Sequence, residues 1–136
     1  MSMKEIAGWA LEVARLRGAT YADVRIVDER QRTLATKNGK LAYAGDAESL
    51  GAGIRVIAGG AWGFAATEML TRESVEAAAA RAVEIARASA RVKQYDVALA
   101  PETVAVADWT TPYKIDPFII SVEQNLDLLL AVDRDA

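Results

Sequence analysis

Gly51-Ala52-Gly53-Ile54-Arg55-Val56-Ile57-Ala58-Gly59-Gly60-Ala61-Trp62-Gly63-Phe64-Ala65-Ala66-Thr67 is the stretch that decides the fold. Two runs with strand-like alternation, Ile54 to Ile57 and Ala61 to Ala65, flank the pair Gly59-Gly60. Two glycines between β-branched and aromatic runs mark a tight hairpin, because primed turns require positive φ at the turn residues. Gly51, Gly53 and Gly63 stand within or beside the strands, where glycine weakens pairing and marks a bulge or the close approach of another backbone. Arg55 projects from the first strand, with Trp62 and Phe64 on the second. The trio reads either as a recognition surface or as an arginine stem packed over aromatic rings.

Upstream of this hairpin the same period continues. From Tyr21, Ala22, Val24 and Ile26 fall on one face, and Asp23 and Arg25 on the other. A second run, Arg32 to Lys37, reaches Asn38-Gly39, the strongest short-range hairpin cue, and a third leaves through Leu41 and Tyr43. Gly45-Asp46-Ala47-Glu48 reads as a polar turn. The expectation is a meander of about five strands.

Helices bracket the meander. Ser2 with Glu5 has the spacing of a capping box, and Ile6, Ala10, Val13 and Ala14 recur at helical intervals as far as Gly18, a C-terminal cap. This predicts a helix over Met3 to Arg17. A second runs from Thr71 to Ala90, with Val75, Ala78, Ala79, Ala82, Val83 and Ala86 on one face and Arg81, Glu84 and Arg87 on the other. Its small-residue face suits close docking on the sheet. Beyond Ala90, Pro101, Pro112 and Pro117 punctuate an extended segment with room for one edge strand, Thr103 to Trp109. Tyr113 to Pro117 reads as an anchored loop. Ser121 with Gln124 opens a third helix whose stripe, Leu126, Leu129 and Leu130, is expected to be an exposed interaction surface. No stop signal ends that helix, which is the pattern of a truncated chain. The fold expected is α+β, with a mixed or antiparallel sheet of about five strands against two helices and a further C-terminal helix. Residues 1–100 form the domain, and 101–136 a linker with the start of a following helix.

Composition narrows the chemistry. Of 136 residues, 52% are hydrophobic and 26% charged, enough for one packed core. The net charge of −3 argues against a nucleic-acid surface. The chain holds no cysteine, which fits a reducing cytoplasm, and no histidine, which excludes Ser-His and Cys-His nucleophiles and most zinc sites. No apolar run approaches the roughly 18 residues of a membrane span, and no signal peptide opens the chain, so a cytoplasmic protein is expected. The acid–base candidates are carboxylates alone, among them Asp23, Asp28, Glu48 and Glu68, and no pair is marked as converging. Gly51-Ala52-Gly53 lacks the third glycine and following helix of a dinucleotide fingerprint.

Tyr21-Ala22-Asp23, the Asn38-Gly39 turn, Gly51-Ala52-Gly53-Ile54-Arg55-Val56 and Gly63-Phe64-Ala65, followed by an alanine-rich helix, resemble the N-terminal domain of the TldD/PmbA family. These are metallopeptidases also called modulators of DNA gyrase. The Tyr113 to Pro117 loop and the Ser121 helix resemble the TldD-like branch. The resemblance implies a cytosolic zinc peptidase working as a homo- or heterodimer of family subunits on peptides or unfolded proteins. Its metal sits in a His-Glu-x-x-x-His helix of a later domain, where two histidines one turn apart hold the ion. None of those residues exists here. The chain alone is therefore expected to be inactive and to hold no cofactor, with Asn38, Gly39, Gly59 and Gly60 as structural turns. Arg55, Trp62, Phe64, Leu126, Leu129 and Leu130 are its interface candidates. The alternative is a stand-alone protein- or peptide-binding module without catalysis, connected to gyrase modulation.

Overall fold

The computed structural model describes residues 2–135. Three helices, one short 3-10 turn and three strands follow one another as α1 (Met3–Leu16), β1 (Tyr21–Lys37), β2 (Lys40–Ala58), β3 (Ala61–Thr67), α2 (Arg72–Ser89), the turn at Pro117–Ile119, and α3 (Val122–Asp135). The strands form one antiparallel sheet in the order β1-β2-β3. The class is α+β, but the sheet has three strands where the sequence predicts about five.

The difference has a physical cause. The polar turn expected at Gly45 to Glu48 is extended, and so is the Asp28 to Gln31 stretch that separates the two runs of β1. Their charges meet across the hairpin: Arg32 donates to both carboxylate oxygens of Asp46 at 2.9 and 3.0 Å, and Arg30 stands 3.6 Å from Glu48. Polar residues that suggest turns when read singly are cross-strand partners when paired. The period of two also persists, with Arg32, Leu34 and Thr36 half-buried and Gln31, Thr33 and Ala35 exposed. Conversely, Thr103 to Trp109 forms no strand. Val104 and Val106 alternate as a strand requires, yet no ladder partner engages them and both are over nine-tenths exposed.

Two compact units result. The first comprises Met1–Glu29 and Ser49–Pro101, the second Arg30–Glu48 and Glu102–Ala136. In the first, Ser2 and Glu5 cap α1 reciprocally, and Gly18 follows its end at φ +80°. Thr71 caps α2 by accepting from the Ser74 amide. Ile6, Ala10 and Ala14 of α1 join Ala52, Ile54, Val56 and Ala58 of β2, and Val75, Ala79, Ala82, Val83 and Ala86 of α2, in one core. Ala22, Val24 and Ile26 of β1 pack against it from the sheet. α2 lies on β3 and α1 on α2. Much of this core is alanine, so it is held by close approach more than by area per side chain. A Cβ built on Gly63 would stand 2.0 Å from the Ala82 carbonyl oxygen and 2.6 Å from the Ala86 nitrogen. The helix backbone rests directly on the strand there.

β2 and β3 pair from Ala52 opposite Thr67 to Ala58 opposite Ala61. Gly59 and Gly60 turn the chain with φ of 61° and 74°, and Asn38 and Gly39 turn β1 into β2 with 53° and 69°. Positive φ at both central residues is the primed geometry that matches strand twist.

In the second unit, the Phe118 ring lies under two guanidinium groups, with Arg30 at 4.9 Å and Arg32 at 5.8 Å from its centroid. Asp116 caps the short turn by accepting from the Phe118 amide. Ser121 and Gln124 cap the start of α3 reciprocally, and the Asp133 carboxylate accepts from the Gly39 amide.

Candidate binding groove on the open face of the sheet

Alternation divides the sheet of the first unit into two faces. Ala52, Ile54 and Val56 go to the helices, which leaves Gly51, Gly53 and Arg55 on the opposite face. The register sets Arg55 opposite Phe64, Gly53 opposite Ala66 and Ile57 opposite Trp62. β1 supplies Tyr21, Asp23, Arg25 and Val27 to the same face by parity. The outcome is a groove of 610 Å³ between Asp23, Arg25 and Val27 on one side and Phe64, Ala66 and Glu68 on the other.

At one end a polar cluster is fixed. One oxygen of Asp23, Oδ2, accepts from Arg55 Nε at 2.8 Å, from Arg55 Nη2 at 2.7 Å and from the Tyr21 hydroxyl at 2.9 Å. The Arg55 guanidinium also lies 4.8 Å from the Trp62 ring centroid, and Tyr21 meets Trp62 edge-on at 5.9 Å. Such a pair, half open to water, contributes up to about 1 kcal/mol, and the stacking a comparable amount. The main effect is to hold the arginine in place.

In the middle of the groove the strand is glycine, and the Phe64 ring lies over it. A Cβ on Gly53 would come within 3.1 Å of Phe64 Cε2, so the bare backbone makes room for that ring. Arg25, at the β1 rim, is exposed and in no ion pair among the described residues.

Of the expected interface residues, Arg55, Trp62 and Phe64 come together here, with Arg55 stacked on Trp62 and Phe64 more than half exposed. Leu126, Leu129 and Leu130 belong to α3 of the second unit and are partly buried, whereas Leu128 and Val132 are exposed apolar side chains of that helix. The leucine stripe of the sequence is thus the less exposed face of α3. The sequence places Asp23 and Arg25 on one strand face but does not assign Tyr21, Asp23 or Arg25 to the interface. The parity of β1, already visible in the sequence, is the signal that aligns all three.

Zinc, which the resemblance implies, does not fit these residues. The chain has no histidine or cysteine, and among the described residues no group of three or more acidic side chains stands together as a metal site. No helix among them is long and apolar enough to cross a membrane.

An α+β domain with two helices on one face of an antiparallel sheet and a groove on the other is the class this fold defines. Residues 22–86 match the family model described as PmbA/TldA metallopeptidase domain 1. A metalloprotease of Methanocaldococcus jannaschii is 23% identical over 110 residues, covering 81% of this chain and 24% of its own length. The crystal structure of TldE from Thermococcus kodakarensis superimposes with a TM-score of 0.62 at 17% identity, covering 98% of this chain and 29% of that one. Together these matches support a TldD/PmbA-family N-terminal domain, with the family model accounting for residues 22–86. It spans about a quarter of the length of the curated relative it matches.

Proposed function

We propose that this chain is the non-catalytic N-terminal domain of a cytoplasmic, TldD-like zinc metallopeptidase, serving as scaffold, as subunit contact and as a wall of the substrate cavity. The observation that carries the reading is the conjunction of a domain-1 match with a sequence that has neither histidine nor cysteine to offer zinc. Without histidine, the chain lacks the commonest zinc ligand and the commonest neutral-pH base. Hydrolysis of peptides or unfolded proteins then belongs to residues outside it, in line with the small share of the metalloprotease relative that it spans. Residues 1–100 form the domain in this reading, and 101–136 lead from it toward the rest of the polypeptide. The open sheet face, with Arg55, Trp62 and Phe64, is the surface turned to substrate or partner, and a second family subunit is the partner. The TldD-like assignment rests on the Tyr113 to Pro117 loop and the Ser121 helix. No basic patch supports direct contact with DNA, and the net charge of −3 opposes it.

The experiment is the intact mass of the protein as its source cells make it, together with a peptidase assay of the 136-residue chain with added zinc. A mass several times 14.6 kDa and no cleavage by the chain alone are expected. A native mass near 14.6 kDa, or zinc-dependent cleavage by the chain itself, overturns the reading. The first of those results leaves a stand-alone binding module in its place.

A further inference from the structure

The groove has a distribution of chemistry that selects a ligand. The Phe64 ring lies over the Gly53 backbone, and Val27 and Leu50 add aliphatic surface among the lining residues. These three side chains are 57%, 53% and 43% exposed. Apolar surface of this kind, with the Phe64 ring resting over Gly53 and its outer face open, fits one apposed aliphatic or aromatic group.

The charges are unequal in availability. Arg55 is engaged by Asp23 and stacked on Trp62, while Asp23 Oδ2 already has three donors. Neither is free to take a ligand charge. Arg25 is, on the β1 rim, and Glu68 on the β3 side repels any acid that approaches from there. A carboxylate is therefore attracted at one edge of the groove only.

We propose that this groove binds an extended peptide by laying one aliphatic or aromatic side chain on the exposed face of Phe64, beside Val27 and Leu50, with an adjoining carboxylate paired to Arg25. This deepens the reading of the open face as a substrate wall and rests on it. The carboxylate is either the side chain of an acidic residue or a peptide C-terminus, since a guanidinium pairs with both.

The test is a titration of the isotopically labelled 136-residue chain, followed by its backbone amide resonances. Three probes are used: acetyl-Ala-Ala-Asp-Phe-amide, acetyl-Ala-Ala-Ala-Phe with a free C-terminal carboxylate, and acetyl-Ala-Ala-Ala-Phe-amide. Shifts confined to Gly51, Gly53, Phe64 and Ala66 are expected with one or both acidic peptides, which also identifies the source of the carboxylate, and much weaker ones with the neutral peptide. Arg25→Gln should weaken the acidic peptide about fivefold and Arg25→Glu about tenfold, leaving amides outside the groove unmoved. Phe64→Ala should weaken all three. Equal binding of the neutral peptide, no groove shifts, or insensitivity to both Arg25 substitutions overturns the proposal. Groove shifts that grow with protein concentration in the absence of peptide also overturn it, by making a second copy of the chain the occupant. None of these results bears on the intact mass, so this proposal can fail while the domain assignment stands.

Discussion

Gly63→Ala adds one methyl group at the tightest contact of the first unit. An ordinary Cβ contact needs at least 3.0 Å, and the new atom would stand 2.0 Å from the Ala82 oxygen and 2.6 Å from the Ala86 nitrogen, both backbone. No rotamer change relieves this, so strand and helix must part by about 1 Å, which opens the neighbouring alanine contacts as well. Overpacking typically costs about 1–3 kcal/mol, and a clash against helix backbone belongs at the upper end, about 3 kcal/mol. For a domain of this size that lowers the melting temperature by roughly 10 °C. The assay is thermal unfolding by circular dichroism, backed by urea titration. Gly8→Ala is the control: Gly8 is exposed in α1 with nothing within 4 Å of a built Cβ, so the same change should stabilise by about 0.8 kcal/mol through helix propensity. If Gly63→Ala melts within a degree or two of the parent while Gly8→Ala behaves as stated, α2 does not rest on β3 as described.

Acid should destabilise the protein in a defined window. The Ser2 amide holds the Glu5 carboxyl below its ordinary range, and hydrogen bonds from Arg15 and Arg32 do the same for Glu12 and Asp46. A group lowered in the folded state contributes its full stability above the unfolded value and loses it as pH falls through the folded one. The urea midpoint is therefore expected to be flat from pH 7 to 5 and to fall below about pH 4.5, with Asp46→Asn removing part of the fall. A midpoint that rises on acidification refutes this. At the groove, Arg55→Ala removes both the Asp23 pair and the Trp62 stack and should cost about 1 kcal/mol. A double-mutant cycle with Asp23→Asn isolates the ion pair, and zero coupling would show that the two side chains do not interact in solution.

Local rules made much of this fold legible. Asn38-Gly39 and Gly59-Gly60 are readable because only residues tolerant of positive φ satisfy a two-residue hairpin. Ser2 with Glu5, Thr71, and Ser121 with Gln124 are readable because a helix start has unpaired amides that need side-chain acceptors. What escaped is non-local. Asp46 and Glu48 look like turn residues until Arg32 and Arg30 stand across from them, and Thr103 to Trp109 looks like a strand although no partner engages it. The groove was half visible. Arg55, Trp62 and Phe64 share a hairpin and could be grouped, but Asp23 and Arg25 join them only once β1 is laid beside β2. The leucines of α3 were read as open because a periodic stripe does not say whether anything covers it.

The second unit joins segments that leave the ribosome far apart in time. Arg32 donates to the Ile120 carbonyl, 88 residues on, and the Gly39 amide meets Asp133, 94 residues on. Contacts of such span form late, after loop closure has been overcome. At about 5–20 residues per second, the hairpin end is made several seconds before its partners exist. The first unit, by contrast, has all its strands and helices once Ser89 is synthesised. A nascent chain thus presents a folded sheet base whose far hairpin end, with Arg32 and the Gly39 amide, still lacks its C-terminal partners.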